Sequence, residues 1–386
     1  HVLFKLCILL FMKLKVNSSD LAKALSHLQG VVELRHTLPI LSNVIIKAED
    51  NLLKLSSTNL DIFCSEKISA DIEVNGEISV PAITLHEIVK KLPQGSDIDL
   101  NMDETGNSIN IKSGRSRFNL STLPTDDFPD ISQDDLSVKF IMNVEDLKTM
   151  IDKTKFAISN EESRYYLNGI FFHSAHKNEI NILRSVATDG HRLAQYDMPL
   201  PQGAEKMSGI IIPKKTTLEL RRILDDANGD VQVELSSSKV KFVFSEIELV
   251  SKVIDGTFPD YTKVIPQNND KMLKTNISDL KGAIERVSAI AVSEETKSRG
   301  LKLIIENNKL QLLASSASKG SAIEELDVQF AHDKLEIGFN SRYLLDIISE
   351  IDGTDVTLNF SDPAAPVLII DDAEDNLFFV LMPMRI

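Results

Sequence analysis

Hydrophobic and polar positions follow the same order three times along this chain. In each copy, a segment of alternating apolar and polar residues leads to an asparagine and then to Asp-Leu, at Asp20, Asp146 and Asp279. The alternation predicts a strand, and a polar residue just before Asp-Leu is typical of a helix start. The aspartates are 126 and 133 residues apart (146 − 20 and 279 − 146). That spacing is the length of a domain and far exceeds a solenoid unit of about 20–50 residues.

The similarity continues beyond this first strand and helix. Strands rich in branched and aromatic apolar residues are predicted to begin at Leu41, Leu167 and Leu301. Second amphipathic helices follow, with apolar residues at Leu85, Ile88, Val89 and Leu92 in the first copy and at Leu218, Leu220, Ile223 and Leu224 in the second. The chain is therefore predicted to be α+β, with three similar domains, each a doubled strand-helix-strands unit. Each helix buries one face against a sheet and leaves the other free.

Two Phe-Pro-Asp segments mark the ends of the first two copies, at Phe128 and Phe258. Proline after an extended residue is typical of a strand end followed by a linker. The predicted domains are 12–135, 136–265 and 266–386. Residues 1–11 form a short apolar run without a small-residue cleavage site, and they are too few to span a membrane. We interpret them as an N-terminal extension outside the fold, with Met12 as a natural start.

Composition qualifies this picture in two ways. The formal net charge is −15, which on its face argues against binding to phosphates, although a protein can segregate its charges onto separate surfaces. The predicted helices are richer in base than the rest of the chain, with Lys153, Arg222 and Arg286 among their cations. Either these helices have solvated faces of mixed charge, or they form a positive surface that binds phosphates without reading sequence. The two cysteines fit a reducing cytosol and predict a cytoplasmic location.

Motifs for catalysis or cofactors are few. The sequence contains no phosphate-binding glycine loop, no zinc-type cysteine or histidine spacing and no nucleophile elbow, and no cofactor is predicted. His173 and His176 fall at a predicted strand end and are not interpreted as metal ligands. The segment from Thr188 to Arg192, Thr-Asp-Gly-His-Arg, is interpreted as a turn because Asp-Gly is turn chemistry. Catalysis by these residues stays open as the alternative.

Six segments together resemble one known family. They are Thr37-Leu-Pro-Ile-Leu-Ser-Asn, Ser113-Gly-Arg-Ser-Arg-Phe, Arg164-Tyr-Tyr-Leu-Asn-Gly, Ala187-Thr-Asp-Gly-His-Arg-Leu, Phe258-Pro-Asp-Tyr and Met382-Pro-Met-Arg-Ile. In this order they resemble the beta subunit of bacterial DNA polymerase III, a sliding clamp. The resemblance implies a head-to-tail homodimeric ring of six domains, with helices lining a hole and sheets outside. Such a ring encircles double-stranded DNA and tethers the polymerase catalytic subunit, the clamp loader and other proteins with a clamp-binding motif.

The resemblance also implies three sets of contact residues and no catalysis. A peptide-binding pocket between the second and third domains is expected at Leu167, Thr188, Gly190, His191, Arg192, Leu193, Pro259, Lys263, Val264, Tyr343, Pro366, Val380, Leu381, Met382, Pro383, Met384 and Arg385. DNA contacts are expected at Lys23, Arg35, Lys90, Lys91, Lys148, Lys214 and Lys215. Dimer contacts are expected at Phe118, Leu120 and Ile290. Two other functions stay open: an enzyme that uses Asp189, His191 and Arg192, and a scaffold that binds peptides but not DNA.

Overall fold

The computed structural model describes residues 11–33, 38–129, 131, 136–291, 299–316 and 318–385. Residues 1–10 of the predicted extension, and Arg35 of the predicted DNA contacts, lie outside these ranges. The chain divides into two compact units. One comprises residues 1–144 and 218–253, and the other comprises 145–217 and 254–386.

Six α-helices and 25 strands occur in the described residues, in a threefold order. The first repeat contains β1 (Lys13–Asn17), α1 (Ser18–Leu28), β2 (Asn43–Glu49), β3 (Leu52–Thr58), β4 (Ile62–Ser69), β5 (Asp71–Val74), β6 (Gly76–Pro81), α2 (Ala82–Val89), β7 (Asp97–Met102), β8 (Ser108–Ser113) and β9 (Ser116–Ser121). The second contains β10 (Val138–Asn143), α3 (Val144–Lys155), β11 (Gly169–Lys177), β12 (Ile180–Thr188), β13 (Arg192–Pro199), β14 (Ile210–Pro213), α4 (Lys214–Leu224), β15 (Asp230–Leu235), β16 (Lys239–Phe244) and β17 (Ile247–Lys252). The third contains β18 (Lys271–Asn276), α5 (Ile277–Ala291), β19 (Gly300–Glu306), β20 (Lys309–Ser316), β21 (Gly320–Asp327), β22 (Leu335–Asn340), α6 (Ser341–Ile348), β23 (Asp355–Phe360), β24 (Val367–Asp371) and β25 (Leu377–Leu381).

The predicted α+β class and the three similar domains are confirmed. Each repeat opens with the predicted strand and helix, and asparagine side chains cap α1 and α5. The Asn17 side chain accepts a hydrogen bond from the Ser19 N–H at 2.9 Å, and Asn276 accepts one from the Ser278 N–H at 3.0 Å. These caps satisfy amide groups that a helix start leaves without partners.

Three details of the predicted elements are wrong. Leu41 and Leu167 lie in short 3₁₀ turns that precede β2 and β11 rather than in the strands. Leu218 is 44% exposed, whereas Leu220 and Ile223 are buried with Thr216 and Thr217. The buried stripe of α4 therefore starts at two threonines, which a search for apolar residues does not find.

All the strands pair antiparallel. In the first unit, β5-β1-β7-β8-β9 form a five-stranded sheet and β10-β15-β16-β17-β4-β3-β2-β6 form an eight-stranded one. In the second unit, β14-β11-β12-β13-β25-β24-β23-β18 form an eight-stranded sheet and β21-β20-β19-β22 form a four-stranded one. Each eight-stranded sheet therefore joins two repeats, through β4 and β17 in one case and through β13 and β25 in the other. Strands β9 and β21 are left at sheet edges.

Candidate functional site

The segment from Thr188 to Arg192 is a tight turn between β12 and β13. One carboxylate oxygen of Asp189 accepts hydrogen bonds from the N–H groups of His191 and Arg192, at 2.9 and 3.1 Å. The Thr188 hydroxyl donates to the Arg192 carbonyl at 2.7 Å and accepts from the Gly190 N–H at 3.1 Å. Gly190 has φ of +87°, a conformation that glycine adopts without strain. The turn interpretation is confirmed, and it occupies Asp189 with local hydrogen bonds.

Arg192 fixes this turn against the third repeat. Its side chain is 8% exposed, and its guanidinium donates to Asp189 at 3.1 Å, to Asp346 on α6 at 2.6 Å and to the Phe156 carbonyl at 2.8 Å. It also lies over the rings of Phe156 and Tyr343, 5.0 and 4.5 Å from their centroids. A planar guanidinium can make all of these contacts at once. The turn and α6 are thus held together by one buried cation.

The pairing of β13 with β25 brings the C-terminal residues next to this turn. Leu193 lies opposite Val380, and the His191 carbonyl accepts a hydrogen bond from the Met382 N–H at 2.9 Å. Leu167, Leu193 and Val380 belong to one apolar cluster, together with Phe258. An apolar core thus lies directly beneath the predicted partner-binding residues.

Several of the other predicted pocket residues line two grooves in the second unit. Met382 and Val264 are 37% and 45% exposed. The rings of His191 and Tyr343 stack 5.8 Å apart and, with Arg192, line a polar groove of about 620 Å³. A second groove, of about 600 Å³, is lined in part by Pro383, Met384 and Arg385. Leu381 is buried, Thr188 and Pro366 are partly buried, and Gly190, Pro259 and Lys263 are exposed.

Among the predicted pocket residues, Lys263 forms an ion pair with Asp260 at 3.2 Å. Two neighbours of the pocket were missed in the sequence. Asp346 accepts a hydrogen bond from Arg192, and Arg164 approaches Gly190 so closely that a Cβ on that glycine would lie 2.7 Å from its Nη1. Both contacts join residues that are not neighbours in the chain, so no local sequence pattern predicts them.

The six predicted DNA-binding cations that the structure describes lie on helices or at their ends, and each unit carries some of them. In the first unit, Lys23 is exposed on α1, and Lys90 and Lys91 follow α2, where both pair with Glu87. In the second unit, Lys148 on α3 pairs with Glu145 at 2.8 Å. At the start of α4, Lys214 donates to Asn160 at 2.6 Å and Lys215 is exposed.

Two other helix cations do not lie on free faces. Lys153 on α3 is 8% exposed and donates to the Glu350 carbonyl. Arg222 on α4 donates to the carbonyls of Ser26 and His27 at 2.8 and 2.9 Å. The interpretation of all the helix bases as one positive surface is therefore wrong for these two, because they bind the ends of helices in neighbouring repeats.

The predicted dimer residues lie on or near sheet edges. Phe118 and Leu120 are half-buried on the edge strand β9, and Ile290 is half-buried near the end of α5. Glu324, on the edge strand β21, accepts hydrogen bonds from Arg286, which holds the pKa of that carboxyl below its usual value.

Searches for two other kinds of site give negative results within the described ranges. No group of three or more histidine, cysteine, aspartate or glutamate side chains could hold a metal ion there. No helix in the same ranges is long and apolar enough to cross a membrane.

Three family models match the chain in succession. They are the N-terminal domain of the DNA polymerase III beta subunit at residues 12–132, its central domain at 141–260 and its C-terminal domain at 262–385. The chain belongs to the DNA polymerase III beta subunit family.

Relatives and solved structures agree over nearly the whole length. The beta sliding clamp of Caulobacter vibrioides is 44% identical over 375 residues, which cover 97% of this chain and 100% of that one. The Escherichia coli K12 clamp is 35% identical, with the same coverage. A crystal structure of the Bartonella birtlesii clamp bound to griselimycin has a TM-score of 0.94 at 44% identity, and covers 98% of this chain and 100% of that one.

Membership of this family gives the biochemical role. The chain is a processivity factor of DNA polymerase III that works as a homodimeric ring around duplex DNA, slides without sequence specificity and tethers the polymerase and other partners. It has no catalysis of its own, so the enzymatic interpretation of Asp189, His191 and Arg192 is wrong, and so is that of a scaffold that never binds DNA.

Proposed function

We propose that protein partners bind where the turn after β12 meets the C-terminal strand β25. The contact residues are the predicted set: Leu167, Thr188, Gly190, His191, Arg192, Leu193, Pro259, Lys263, Val264, Tyr343, Pro366, Val380, Leu381, Met382, Pro383, Met384 and Arg385. The observation that carries this proposal is the hydrogen bond from Met382 to His191 above the buried Leu193–Val380 pair. It sets an adaptable methionine beside an apolar core, which suits a surface shared by several short apolar motifs.

We further propose that the ring holds DNA through Lys23, Arg35, Lys90, Lys91, Lys148, Lys214 and Lys215. Long cationic side chains and intervening water give weak contacts to phosphates that are blind to base sequence. Ion pairs of Lys90, Lys91 and Lys148 with nearby glutamates lower the net attraction further. Weak, uniform contacts let a ring slide while closure alone keeps it on the duplex.

Our proposal for the homodimer places Phe118, Leu120 and Ile290 in the contact between copies. Strand pairing across repeats supports it: β4 pairs with β17 and β13 with β25, while the equivalent strands β21 and β9 are edges within the chain. Unpaired edges are templates for strand addition by another chain. The domains 12–135, 136–265 and 266–386, with 1–11 as an extension, and a cytoplasmic location complete the proposal.

Retention on DNA tests the ring, and peptide binding tests the pocket. Clamp loaded onto nicked circular DNA should stay bound in high salt and be lost when the circle is linearised. Equal loss from both forms would refute topological binding. For the pocket, Met382→Asp should weaken binding of a labelled apolar clamp-binding peptide at least about tenfold, because it places a charge on the apolar surface. Lys206→Gln, at an exposed position on the β13–β14 loop, should not change it. Equal affinities would refute the pocket.

A further inference from the structure

Three residues occupy the same position in the three copies of the first helix. His27, Lys153 and Arg286 each lie seven residues beyond the aspartate of the repeated Asp-Leu pair (27 − 20, 153 − 146 and 286 − 279). All three side chains can carry positive charge. In the first two copies, the structure shows that this position binds the neighbouring repeat.

His27 is buried between two carboxylates. Its Nδ1 lies 2.7 Å from Glu66 on β4 of its own repeat, and its Nε2 lies 2.9 Å from Asp226, in the loop between α4 and β15 of the next repeat. Both ring nitrogens can donate to carboxylates only when the imidazole is protonated. Burial lowers the pKa of His27, but the hydrogen bonds to Glu66 and Asp226 outweigh burial and raise it. A charged His27 therefore joins the first repeat to the second.

Lys153 makes the equivalent contact one repeat further on. Its ammonium donates to Asp352 at 2.7 Å and to the Glu350 carbonyl at 2.5 Å, in the loop between α6 and β23. In both junctions, a cation on the first helix of one repeat reaches the carboxyl end of the second helix of the next. An aspartate lies at each of these helix ends, Asp226 in the first junction and Asp352 in the second. A helix end also leaves carbonyl groups without partners inside the helix.

Arg286 has only the half of this arrangement that lies within its own repeat. It pairs with Glu324 on β21 just as His27 pairs with Glu66 on β4. The Arg286 side chain is 63% exposed, and Glu324 receives its hydrogen bonds from Nε and Nη2. No described residue accepts one from Nη1. The three repeats of this sequence form two such junctions, and Arg286 takes part in neither of them. We therefore look for its second helix in the other copy of the homodimer.

The remaining second helix, α2, has a matching free end. The Lys91 N–H donates to Ile88, as the Glu350 N–H donates to Ile347, so the Lys91 carbonyl corresponds to the carbonyl that Lys153 binds. None of the described residues donates a hydrogen bond to the Lys91 carbonyl. The loop after α2 differs in charge from the loops after α4 and α6. Its residues 90–96 read Lys-Lys-Leu-Pro-Gln-Gly-Ser and contain no acid.

We propose that Arg286 joins the two copies of the ring. Its guanidinium keeps the ion pair with Glu324 of its own subunit. Its Nη1 group donates a hydrogen bond to the main-chain carbonyl of the partner's Lys91, at the carboxyl end of α2. This inference rests on the proposed head-to-tail dimer, in which β21 of one copy meets β9 of the other. The contact lacks the aspartate present at both junctions within the chain. Gln94, three residues before β7, stands where Asp352 stands before β23.

Subunit exchange between fluorescently labelled dimers tests the proposal at low salt. Arg286→Gln should raise the dimer dissociation constant about tenfold or more, because each ring contains two such contacts. Lys281→Gln removes the same charge from the same helix and should change it less than about threefold. Gln94→Asp should slow exchange about threefold to tenfold, since it supplies the missing acid, and Gln94→Asn should not. The gain from Gln94→Asp should vanish in the Arg286→Gln background.

Each contrary result has a distinct meaning. Wild-type chain that is monomeric at micromolar concentration would overturn the dimer and this inference with it. A stable wild-type dimer in which Arg286→Gln and Lys281→Gln behave alike would overturn the inference alone. So would a gain from Gln94→Asp that persists without Arg286. Glu324→Gln should weaken the dimer less than Arg286→Gln does, and equal effects would mean that Arg286 acts only by positioning its own edge strand.

Discussion

Replacing Arg192 with alanine or lysine separates the shape of its side chain from its charge. The guanidinium donates to two carboxylates and one carbonyl and lies against two aromatic rings. Alanine removes all five contacts. Lysine keeps the charge and can satisfy one carboxylate, but it loses the planar fork and the stacking.

The expected loss of stability depends on how exposed each partner of Arg192 is. A hydrogen bond to a charged group contributes about 1.5–3 kcal/mol when buried. Asp346 is 32% exposed and Asp189 is 15% exposed, so water can replace part of what the carboxylates lose. The Phe156 carbonyl and the two rings add about 1 kcal/mol each. We expect Arg192→Ala to destabilise the second unit by about 3–4 kcal/mol and Arg192→Lys by about 1–2 kcal/mol.

Tyrosine signals allow the stability of the second unit to be measured separately. The sequence has no tryptophan, and its five tyrosines, Tyr165, Tyr166, Tyr196, Tyr261 and Tyr343, all belong to the second unit. Near-ultraviolet circular dichroism during urea unfolding therefore reports on the second unit. A loss below about 1 kcal/mol for alanine, or equal losses for lysine and alanine, would refute the argument that the fork holds the turn to α6. Peptide affinity should fall in the same order.

Three further changes have defined outcomes. Because the pKa of His27 is raised, the stability that its charge contributes is complete below pH 6.5 and is lost as pH rises through the folded-state pKa. His27→Gln should abolish this loss of stability. The measurement is the labelling rate of the buried Cys64 thiol in a Cys7→Ser background. Lys153→Met keeps the apolar stem but leaves the helix-end carbonyl unpaired, so urea unfolding of the second unit should show a loss of about 1–2 kcal/mol. Gly190→Ala should cost about 1–2 kcal/mol by the same measurement, since φ is +87° there.

Local signals in the sequence are enough to predict the repeats. The alternation before Asp20, Asp146 and Asp279, and the asparagine caps, depend only on neighbouring residues, so strands and helix starts could be predicted. Helical periodicity identifies a buried face, but it cannot say which residue of another repeat covers the opposite one. For this reason periodicity alone places Lys153 and Arg222 on a free surface, although each binds a neighbouring repeat.

The candidate pocket likewise combines a local feature that the sequence predicts with a distant contact that it does not. Asp189-Gly190 predicts a turn because its hydrogen bonds are local. The contact of that turn with Asp346 depends on β13 pairing with β25, and those strands are separated by the second half of the second repeat and most of the third. The family resemblance supplied the pocket residues, whereas the geometry supplied the reason that Arg192 belongs among them. Its buried guanidinium links the turn that we propose to bind partners to α6.

The different composition of the third junction has a functional reason. The two junctions within the chain are covalently continuous and never need to separate, so a cation paired with Asp226 or Asp352 carries no cost to function. The junction between copies must open whenever a ring is placed on closed DNA, and a segment with two lysines and no acid keeps that contact weaker. Gln94→Asp should therefore slow loader-dependent assembly onto circular DNA as well as subunit exchange, with Gln94→Asn as the uncharged control. Faster or unchanged loading by the aspartate variant, alongside slower exchange, would show that opening at this junction does not limit loading.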